Sequence, residues 1–417
     1  MDGHDAETRG ARRRTRREVL REGAAAAAGL GLAPTVALGT GVPVGRRAAP
    51  VRIGVVGGNF GCAFQWHEHP DCVVAAVSDL RSDRRERLMQ VYGCAKSCPS
   101  LEELIRDPAL DAVAVFTGAP DHVRHCIAAL RAGKHVLCAV PAALDLEEAE
   151  ALLATVRATG LTYMMAETSY YRQVTISARR LQAAGRFGTI FYTEAEYHHA
   201  GLETLWFEAD GAPTWRHGFP PMLYPTHCTA FLTGVTGERM TAATCLGWGD
   251  DSPLLAGNRY ENPFWNETAL FRTDRGHAFR VGVFWKGAHR GTERAQWYGD
   301  RLSFFAEHPN GLGPVIVRAG NQVEKDDAGF ERQLSSFELY EQPRWFETDL
   351  LPEPLRHDSG HDGSHPFLTH EFVDALRSER RPAIDVVEAL AYTVPGIVAH
   401  RSALAGGEQL AVPVYEL

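Results

Sequence analysis

The stretch Gly133-Lys134-His135-Val136-Leu137-Cys138-Ala139-Val140-Pro141-Ala142-Ala143 runs from the end of a predicted helix through a buried strand into a proline turn. Residues 123–130 carry apolar side chains at helical spacing, and Gly133 follows them where a glycine commonly ends a helix. Residues 136–140 form a short apolar run, which is typical of a fully buried strand. Helix, strand and turn in this order predict one unit of a parallel sheet.

Three similar apolar runs precede this unit, at residues 51–56, 73–77 and 112–116, and helical patterns separate them. A further strand is predicted at residues 161–166, after a helix that begins at Asp145. Strands that alternate with helices indicate a doubly wound parallel sheet. We therefore predict an α/β fold whose N-terminal part is a Rossmann domain.

Longer strands with alternating side chains follow, at residues 189–198, 267–273 and 277–285. This alternation predicts an open, mostly antiparallel sheet in a C-terminal α/β domain. Two helical segments, residues 366–378 and 384–405, end the chain.

A chain of 417 residues is long enough for two domains. We expect an export signal and linker at residues 1–49, a Rossmann domain at 50–170 and a substrate and oligomerisation domain at 171–417. The net charge of −9 gives no basic surface for nucleic acid. The sequence contains no run of about 18 consecutive apolar residues, so we expect no membrane-spanning helix.

The N-terminal segment resembles an export signal. An arginine-rich start precedes an Ala/Gly/Leu-rich segment from Ala24 to about Leu38. Within it, Thr15-Arg16-Arg17-Glu18-Val19-Leu20-Arg21 resembles a twin-arginine signal, which makes the twin-arginine export machinery an expected partner. The protein would then be periplasmic or extracellular. An arginine-rich disordered tail on a cytoplasmic protein is the alternative.

The loop after the first strand is a candidate dinucleotide site. Gly57-Gly58-Asn59-Phe60-Gly61 lies where a pyrophosphate would rest on a helix N-terminus, although its glycine fingerprint is imperfect. Asp79 ends the second strand, and a carboxylate there can bind ribose hydroxyls and repel a 2′-phosphate. Asp79 favours NAD, whereas Arg81 and Arg84 keep NADP as an alternative.

The third turn, Thr117-Gly118-Ala119-Pro120-Asp121-His122-Val123-Arg124-His125, resembles the Thr-Pro-Asn-x-x-His turn of the Gfo/Idh/MocA oxidoreductase family. The Gly-Lys-His-Val run and Pro141 add to the resemblance, which extends from about Val51 to the C-terminus. It implies an open C-terminal sheet that carries a sugar site and often an oligomer interface, so a homo-oligomer is expected. The cofactor residues that it implies, together with the glycine loop, are Gly57, Gly58, Asn59, Phe60, Gly61, Asp79, Thr117, Pro120, His125, Ala139, Val140 and Pro141.

The chain departs from the family at Ala139-Val140-Pro141. The family commonly has Glu-Lys-Pro here, with the lysine beside the nicotinamide, and its redox glycosidases have Glu-Val-Pro. This sequence therefore resembles a divergent Ala-Val-Pro subgroup, in which proton transfer must come from other side chains.

Three residues are candidates for that role: His227, Tyr224 and Glu167. In the family's common Asp-x-Gly-x-His pattern the histidine corresponds to His227, while Leu223 takes the place of the aspartate. Tyr224 matches a tyrosine that precedes this histidine by three residues in the family's redox glycosidases. Glu167 follows the last Rossmann strand, at the edge of the sheet where ligands bind. The alternatives are a structural histidine and a carboxylate at a helix start.

Four residues are candidates for contact with a substrate: Tyr171, Arg172, Trp215 and His365. The first two follow the last Rossmann strand, the tryptophan can stack on a sugar face, and the histidine begins a predicted helix. The histidines of the 357–365 segment could bind a metal, but no carboxylate set accompanies them, so no metal is expected.

Three functions remain open. The first is an NAD(P)-dependent sugar dehydrogenase with His227 as base. The second is a redox-neutral glycosidase that oxidises the sugar, eliminates the leaving group, adds water and reduces the sugar again. The third is a non-catalytic sugar-binding descendant. Export would favour a tightly held cofactor that each cycle restores, because free nicotinamide dinucleotide is scarce outside the cell.

Overall fold

The structure is a computed structural model that describes residues 49–288, 291–307 and 312–417. The predicted export signal lies, except for its last residue, outside the described residues. No helix in the described ranges is both long and apolar enough to cross a membrane.

The N-terminal part is a six-stranded parallel sheet in the order β3-β2-β1-β4-β5-β6, as the sequence predicted. This order is that of the doubly wound dinucleotide-binding fold, in which ligands bind at the carboxyl ends of the strands. Its strands are β1 (Val51–Val56), β2 (Cys72–Ser78), β3 (Ser97–Cys98), β4 (Ala112–Val115), β5 (His135–Cys138) and β6 (Tyr163–Met165). Its helices are α1 (Ser82–Tyr92), α2 (Leu101–Leu104), α3 (His122–Arg131) and α4 (Leu146–Thr159).

The prediction of a helix directly after the glycine loop is wrong. A single 3-10 turn, Phe60–Ala63, follows β1, and turns continue to the start of β2. Asn59 has φ −95° and ψ −85° and makes no side-chain cap bond, so no regular helix begins there. A helix dipole from this segment therefore cannot contribute to phosphate binding.

The C-terminal part contains a nine-stranded sheet in the order β14-β13-β12-β11-β7-β10-β9-β8-β15. Its β7–β10 pair is parallel and its other pairs are antiparallel, which confirms the predicted open, mostly antiparallel sheet. The first elements of this part are α5 (Gln173–Ala183), β7 (Ile190–His198), α6 (Thr226–Thr236), β8 (Met240–Trp248), β9 (Asn266–Thr273) and β10 (Ala278–Phe284). The remaining strands are β11 (Thr292–Gly299), β12 (Leu302–Phe305), β13 (Val315–Lys325), β14 (Glu331–Leu339) and β15 (Leu410–Ala411).

Two helices return the chain to the Rossmann sheet: α7 (His365–Arg377) and α8 (Val386–Leu404). At the start of α7, His365 Nδ1 lies 2.9 Å from the carbonyl oxygen of Ala63. At its end, Arg377 donates to the carbonyl of Ala49 at 2.9 Å. Helix α7 thus runs from the carboxyl edge of the sheet to its amino edge, beside the β1–β2 connection that lacks its own helix.

The contact between α7 and this connection is apolar. Trp66 and Phe372 are completely buried, and their rings meet edge to face with centroids 6.2 Å apart. Phe64 lies nearly parallel to the His365 ring at 4.8 Å. Burial of each large aromatic side chain stabilises the fold by about 3 kcal/mol. Helix α7 therefore completes the core of the N-terminal domain.

A cavity of about 930 Å³ lies at the amino edge of this sheet, where Lys134, His135, Thr162 and Arg380 are among its lining residues. It opens away from the glycine loop and from the other candidate residues, so we do not assign the cofactor to it.

Phe372→Ala should lower the free energy of unfolding by about 3–5 kcal/mol, because it leaves a cavity beside Trp66. Urea unfolding followed by tryptophan fluorescence measures this loss. Leu404→Ala removes a 53 % exposed side chain from α8 and should change the stability by less than about 0.5 kcal/mol. Equal effects of the two substitutions would contradict the docking of α7.

Candidate active site

The glycine loop and Asp79 form one hydrogen-bonded unit. Gly57 has φ +102°, and a Cβ added there would lie 2.3 Å from the carbonyl oxygen of Phe116, so only glycine fits. The Asp79 carboxylate accepts hydrogen bonds from the backbone N–H groups of Gly58 at 2.7 Å and of Arg81 at 2.9 Å. The predicted carboxylate is thus held at the end of β2, beside the loop.

His122 connects the two turns that the sequence placed near a nicotinamide. Its Nε2 lies 3.0 Å from the Thr117 carbonyl oxygen and its Nδ1 lies 2.9 Å from the Pro141 carbonyl oxygen. Two acceptors require a hydrogen on each nitrogen. Burial lowers the pKa of His122, but Cys138 and the two carbonyls raise it more, to about 9. The imidazolium therefore holds the turns together.

The sequence prediction named His125 for this turn and missed His122. His125 supports the Thr117 side chain, since its Nδ1 lies 2.9 Å from Oγ1. The missed signal was the spacing: His122 follows Thr117 by five positions, as the histidine does in Thr-Pro-Asn-x-x-His.

Ala139 and Val140 lie at the end of β5 and are 8 % and 7 % exposed. The Ala139 N–H donates to the Val115 carbonyl at 2.9 Å, which fixes the turn that leads to Pro141. Neither side chain can carry a proton. This turn therefore contributes apolar side chains to the site, and the acid–base groups must come from other segments.

His227 and Glu167 form a buried pair at the carboxyl edge of the Rossmann sheet. His227 lies in the first turn of α6, and its Nδ1 is 2.9 Å from Oε1 of Glu167. The same Oε1 accepts the N–H of Ser169 at 2.7 Å. Burial lowers the pKa of His227, but Glu167 and the nearby Glu293 raise it further, above its usual value. A carboxylate on Nδ1 leaves Nε2 to act as a base when the ring is neutral.

Glu293 adds a second carboxylate to this pair. Its Oε2 accepts from Arg172 Nε at 2.9 Å and from the Ser169 hydroxyl at 2.8 Å, and it lies 3.9 Å from His227 Nδ1. Burial raises the pKa of Glu293, but Arg172 and His227 lower it more, to about 2. Glu293 is therefore ionised. No local sequence pattern points to Glu293, because only strand pairing brings β11 to the site.

An aromatic wall lies beside His227. The rings of Tyr224 and Tyr197 have centroids 5.1 and 4.8 Å from the imidazole. In the antiparallel register Tyr197 is opposite Glu293, so both belong to the face of the sheet that meets α6. Burial raises the pKa of Tyr224 to about 12, and its hydroxyl therefore stays protonated as a hydrogen-bond donor. The structure thus brings together the three predicted catalytic residues.

Trp215 lies against the third cofactor turn. A Cβ added to Gly118 would be 2.9 Å from its indole ring, so the two surfaces are in close contact. The Arg216 guanidinium lies 4.0 Å from the centroid of the same ring. Trp215 is only half-buried, unlike Trp206, Trp265 and Trp297, which pack in the core. Its ring therefore packs on the third cofactor turn and stays partly exposed to solvent.

Two of the predicted substrate contacts are replaced by other roles. The Tyr171 ring is buried and parallel to Phe367 at 5.5 Å, which is a core contact. His365 is 2 % exposed, and both its nitrogens are engaged, with the Ala63 carbonyl and with His361. It therefore positions its neighbours. Arg172 lies at the site, where its Nε donates a hydrogen bond to Glu293.

No group of three or more His, Cys, Asp or Glu side chains in the described ranges is arranged to hold a metal ion.

Similar proteins share both parts of this architecture. Residues 51–167 match the model of an oxidoreductase family described as having an NAD-binding Rossmann fold. A glycosyl hydrolase family 109 protein of Solibacter usitatus is 25 % identical over 327 residues, which cover 74 % of this chain and 72 % of the relative. A protein of the same name from Streptomyces coelicolor is 25 % identical over 396 residues, with coverage of 87 % and 82 %. A levoglucosan dehydrogenase structure shares the fold, with a TM-score of 0.69, 17 % identity and coverage of 87 % and 100 %.

The fold and the site define a two-domain enzyme that uses a nicotinamide cofactor. Residues 51–167 match the NAD-binding part of the Gfo/Idh/MocA oxidoreductase family. The residues present fit such a cofactor: Gly57 permits the tight turn, Asp79 lies at the end of β2, and His122 fixes the two later turns. The missing helix after β1 removes only the dipole contribution.

Glu167→Gln should shift the acid limb of the pH dependence of kcat/KM to lower pH. A neutral His227 is the active form, so activity rises as pH rises through its pKa, and loss of the carboxylate charge lowers that pKa. We also expect a fall in kcat of about 100-fold. Profiles between about pH 5 and 9 measure both effects.

Glu238→Gln is the matched control, because Glu238 is 2 % exposed and lies 2.9 Å from His277 Nδ1 in a similar pair. It should leave the profile in place. A shift of equal size in both variants, or none in Glu167→Gln, would rule out the assigned role.

Proposed function

We propose that this protein is an NAD(P)-dependent oxidoreductase that acts on a sugar or sugar derivative and keeps its cofactor bound between turnovers. The observation that carries this proposal is the buried His227–Glu167 pair, 2.9 Å apart, at the carboxyl edge of the Rossmann sheet. This edge is where the fold binds dinucleotides, so the base and the cofactor would meet there.

Each side chain of the site has a separate role in the oxidation of a substrate hydroxyl. Glu167 holds the Nδ1 hydrogen of His227, so Nε2 takes the proton from the substrate hydroxyl. Tyr224 donates a hydrogen bond to the same oxygen, while Arg172 and Glu293 bind neighbouring hydroxyls. A bound nicotinamide supplies the hydride acceptor. Ala139 and Val140 help to exclude water from this region.

Asp79 supports NAD as the preferred cofactor. Its carboxylate is fixed by Gly58 and Arg81 at the position that faces the adenosine ribose in this fold. Arg81 is paired with Asp83 at 2.9 Å and is thus less available for a 2′-phosphate. Arg84 is the remaining cation of the two that would favour NADP.

Redox-neutral glycoside cleavage is the second candidate. Two observations favour it. Most of the chain is similar to proteins named glycosyl hydrolase family 109, and a tyrosine precedes His227 by three residues. In this cycle a bound nicotinamide would accept the hydride and later return it, and water would replace the leaving group. Ala139 separates this chain from the Glu-Val-Pro pattern of the known redox glycosidases.

The test begins with mass spectrometry of the ligand that denatured, freshly purified protein releases. We expect a nicotinamide dinucleotide in near-stoichiometric amount. Sugars and polyols are then screened for a rise in 340 nm absorbance, and aryl glycosides for nitrophenol release. His227→Gln should lower either reaction by about 100- to 10,000-fold.

Net NADH formation with added NAD supports a dehydrogenase, whereas nitrophenol release without it supports the second candidate. Protein that releases no dinucleotide and shows neither reaction would refute both.

We also propose export through the twin-arginine pathway, which carries folded proteins with their cofactor. The Thr15-Arg16-Arg17 run and the Ala/Gly/Leu-rich segment that follows it support this proposal. Substitution of Arg16 and Arg17 by lysine should keep the protein in the cytoplasm, as measured by cell fractionation. Variant and wild type with the same distribution would exclude this route.

A further inference from the structure

His361 occupies a strained turn at the candidate site. It has φ 54° and ψ 50°, and the next residue, Asp362, has φ 58° and ψ 46°. Two successive non-glycine residues in the left-handed region are costly, at about 1–3 kcal/mol each, and such strain clusters at functional sites. Asp362 holds the turn, since its Oδ2 accepts from the Gln173 N–H at 3.0 Å and its carbonyl accepts from Gln173 Nε2 at 2.9 Å.

A chain of hydrogen bonds fixes the tautomer of His361. The Ala63 carbonyl can only accept, so His365 donates to it through Nδ1 at 2.9 Å. A neutral His365 then accepts at Nε2, and His361 donates to it through Nδ1, also at 2.9 Å. His361 is left with a lone pair on Nε2, which makes no hydrogen bond to any residue in the described ranges. Burial lowers the pKa of both rings, that of His365 to about 4, so both are neutral near pH 7.

The His361 ring lies in the region between the glycine loop and the His227–Glu167 pair. The His361 ring lies 5.7 Å from that of Phe60, in the loop after β1. The charged and titratable groups that act on it are Glu293 from β11, His227 from α6, Arg172 and Glu167 from the segment after β6, and His365 from α7. Glu293 and Glu167 therefore act electrostatically on both His361 and His227, but the Nδ1 of each ring has its own partner, His365 for His361 and Glu167 for His227.

We propose that His361 is a second proton-transfer residue of this site and serves a carbon–hydrogen bond of the sugar rather than the hydroxyl that is oxidised. The inference rests on the proposed function, in its redox-neutral form. A bound nicotinamide would accept the hydride as His227 takes the hydroxyl proton, and the hydrogen next to the new carbonyl would then be acidic. His361 Nε2 takes that proton, and the C–H electron pair becomes a C=C bond as the bond to the leaving oxygen breaks.

The leaving oxygen takes a proton from solvent. In the return half of the cycle water adds its hydroxyl to the carbon that lost the leaving group and gives its other proton to solvent, while His361 gives its proton back to the neighbouring carbon. A bound reduced nicotinamide would return the hydride to the carbonyl carbon as His227 returns its proton to the oxygen, so the cycle closes without net oxidation. Two histidines suit this sequence, because His227 holds the first proton while the second is removed.

The kinetic test compares His361→Gln with His370→Gln. His370 lies on α7 in a similar pair, 3.0 Å from His69, but toward the amino edge of the sheet. In His361→Gln we expect cleavage of an aryl glycoside and exchange of the sugar C2 hydrogen in D₂O to fall by about 100-fold or more. The 340 nm rise of the bound cofactor on addition of sugar should stay within about threefold of the wild type. His370→Gln should keep all three.

Equal loss of cofactor reduction and of cleavage in His361→Gln would overturn the separate role, and so would unchanged cleavage. Wild-type protein that shows neither cofactor reduction nor cleavage would instead refute the proposed function itself, and this step with it. The two failures are thus distinguishable.

The tautomer gives a readout that needs no substrate. In ¹⁵N-histidine NMR, with the signal assigned by its absence in His361→Gln, His361 should carry its hydrogen on Nδ1 near pH 7. His365→Phe keeps a ring stacked on Phe64 but removes the acceptor, so this preference should be lost. A wild-type His361 that carries its hydrogen on Nε2, or that is charged at pH 7, would overturn the proposal.

Discussion

The docking of α7 against the β1–β2 connection is the constraint on which the site depends. A Rossmann sheet needs helices on both faces, and the connection after β1 offers only a 3-10 turn. Helix α7 covers this region through Phe372 on Trp66 and His365 on Phe64. The same contact brings the N-terminus of α7 and the preceding turn to the glycine loop. The same contacts therefore complete the core and position the residues of the candidate active site.

The charges of the site are balanced within a small buried volume. Glu167 and Glu293 face His227 and Arg172, and the Ser169 hydroxyl bridges to Glu293. A buried carboxylate without a partner would be strongly destabilising, so each of the two depends on the cations beside it. This mutual dependence orients His227. It also explains how the site can hold a base without the lysine that the family places at the Ala139-Val140-Pro141 turn.

Much of the fold could be predicted because apolar runs and glycine stops are local signals. The strands that end at Val56, Val115 and Cys138 follow directly from buried apolar segments, and α3 begins and ends where its periodicity does. The helix after the glycine loop was predicted wrongly because a glycine cluster after a strand usually precedes one. Tyr171 was placed at the pocket because it is next to Arg172, although the 3-10 turn there directs its ring into the core.

The sequence by itself determined the fold class, the family resemblance, the absence of the lysine and the choice of His227 as a candidate, because each depends on residues close together in the chain. Only the tertiary structure decided what surrounds His227. Glu293 comes from a strand 66 positions further along, and His361 from a turn 134 positions further along. Neither carries a local pattern, since a buried carboxylate or a strained histidine is defined by what folds against it. The Ala-Val-Pro turn thus shows that the family's lysine is absent, and the packing of distant elements brings Glu293 and His361 to the site.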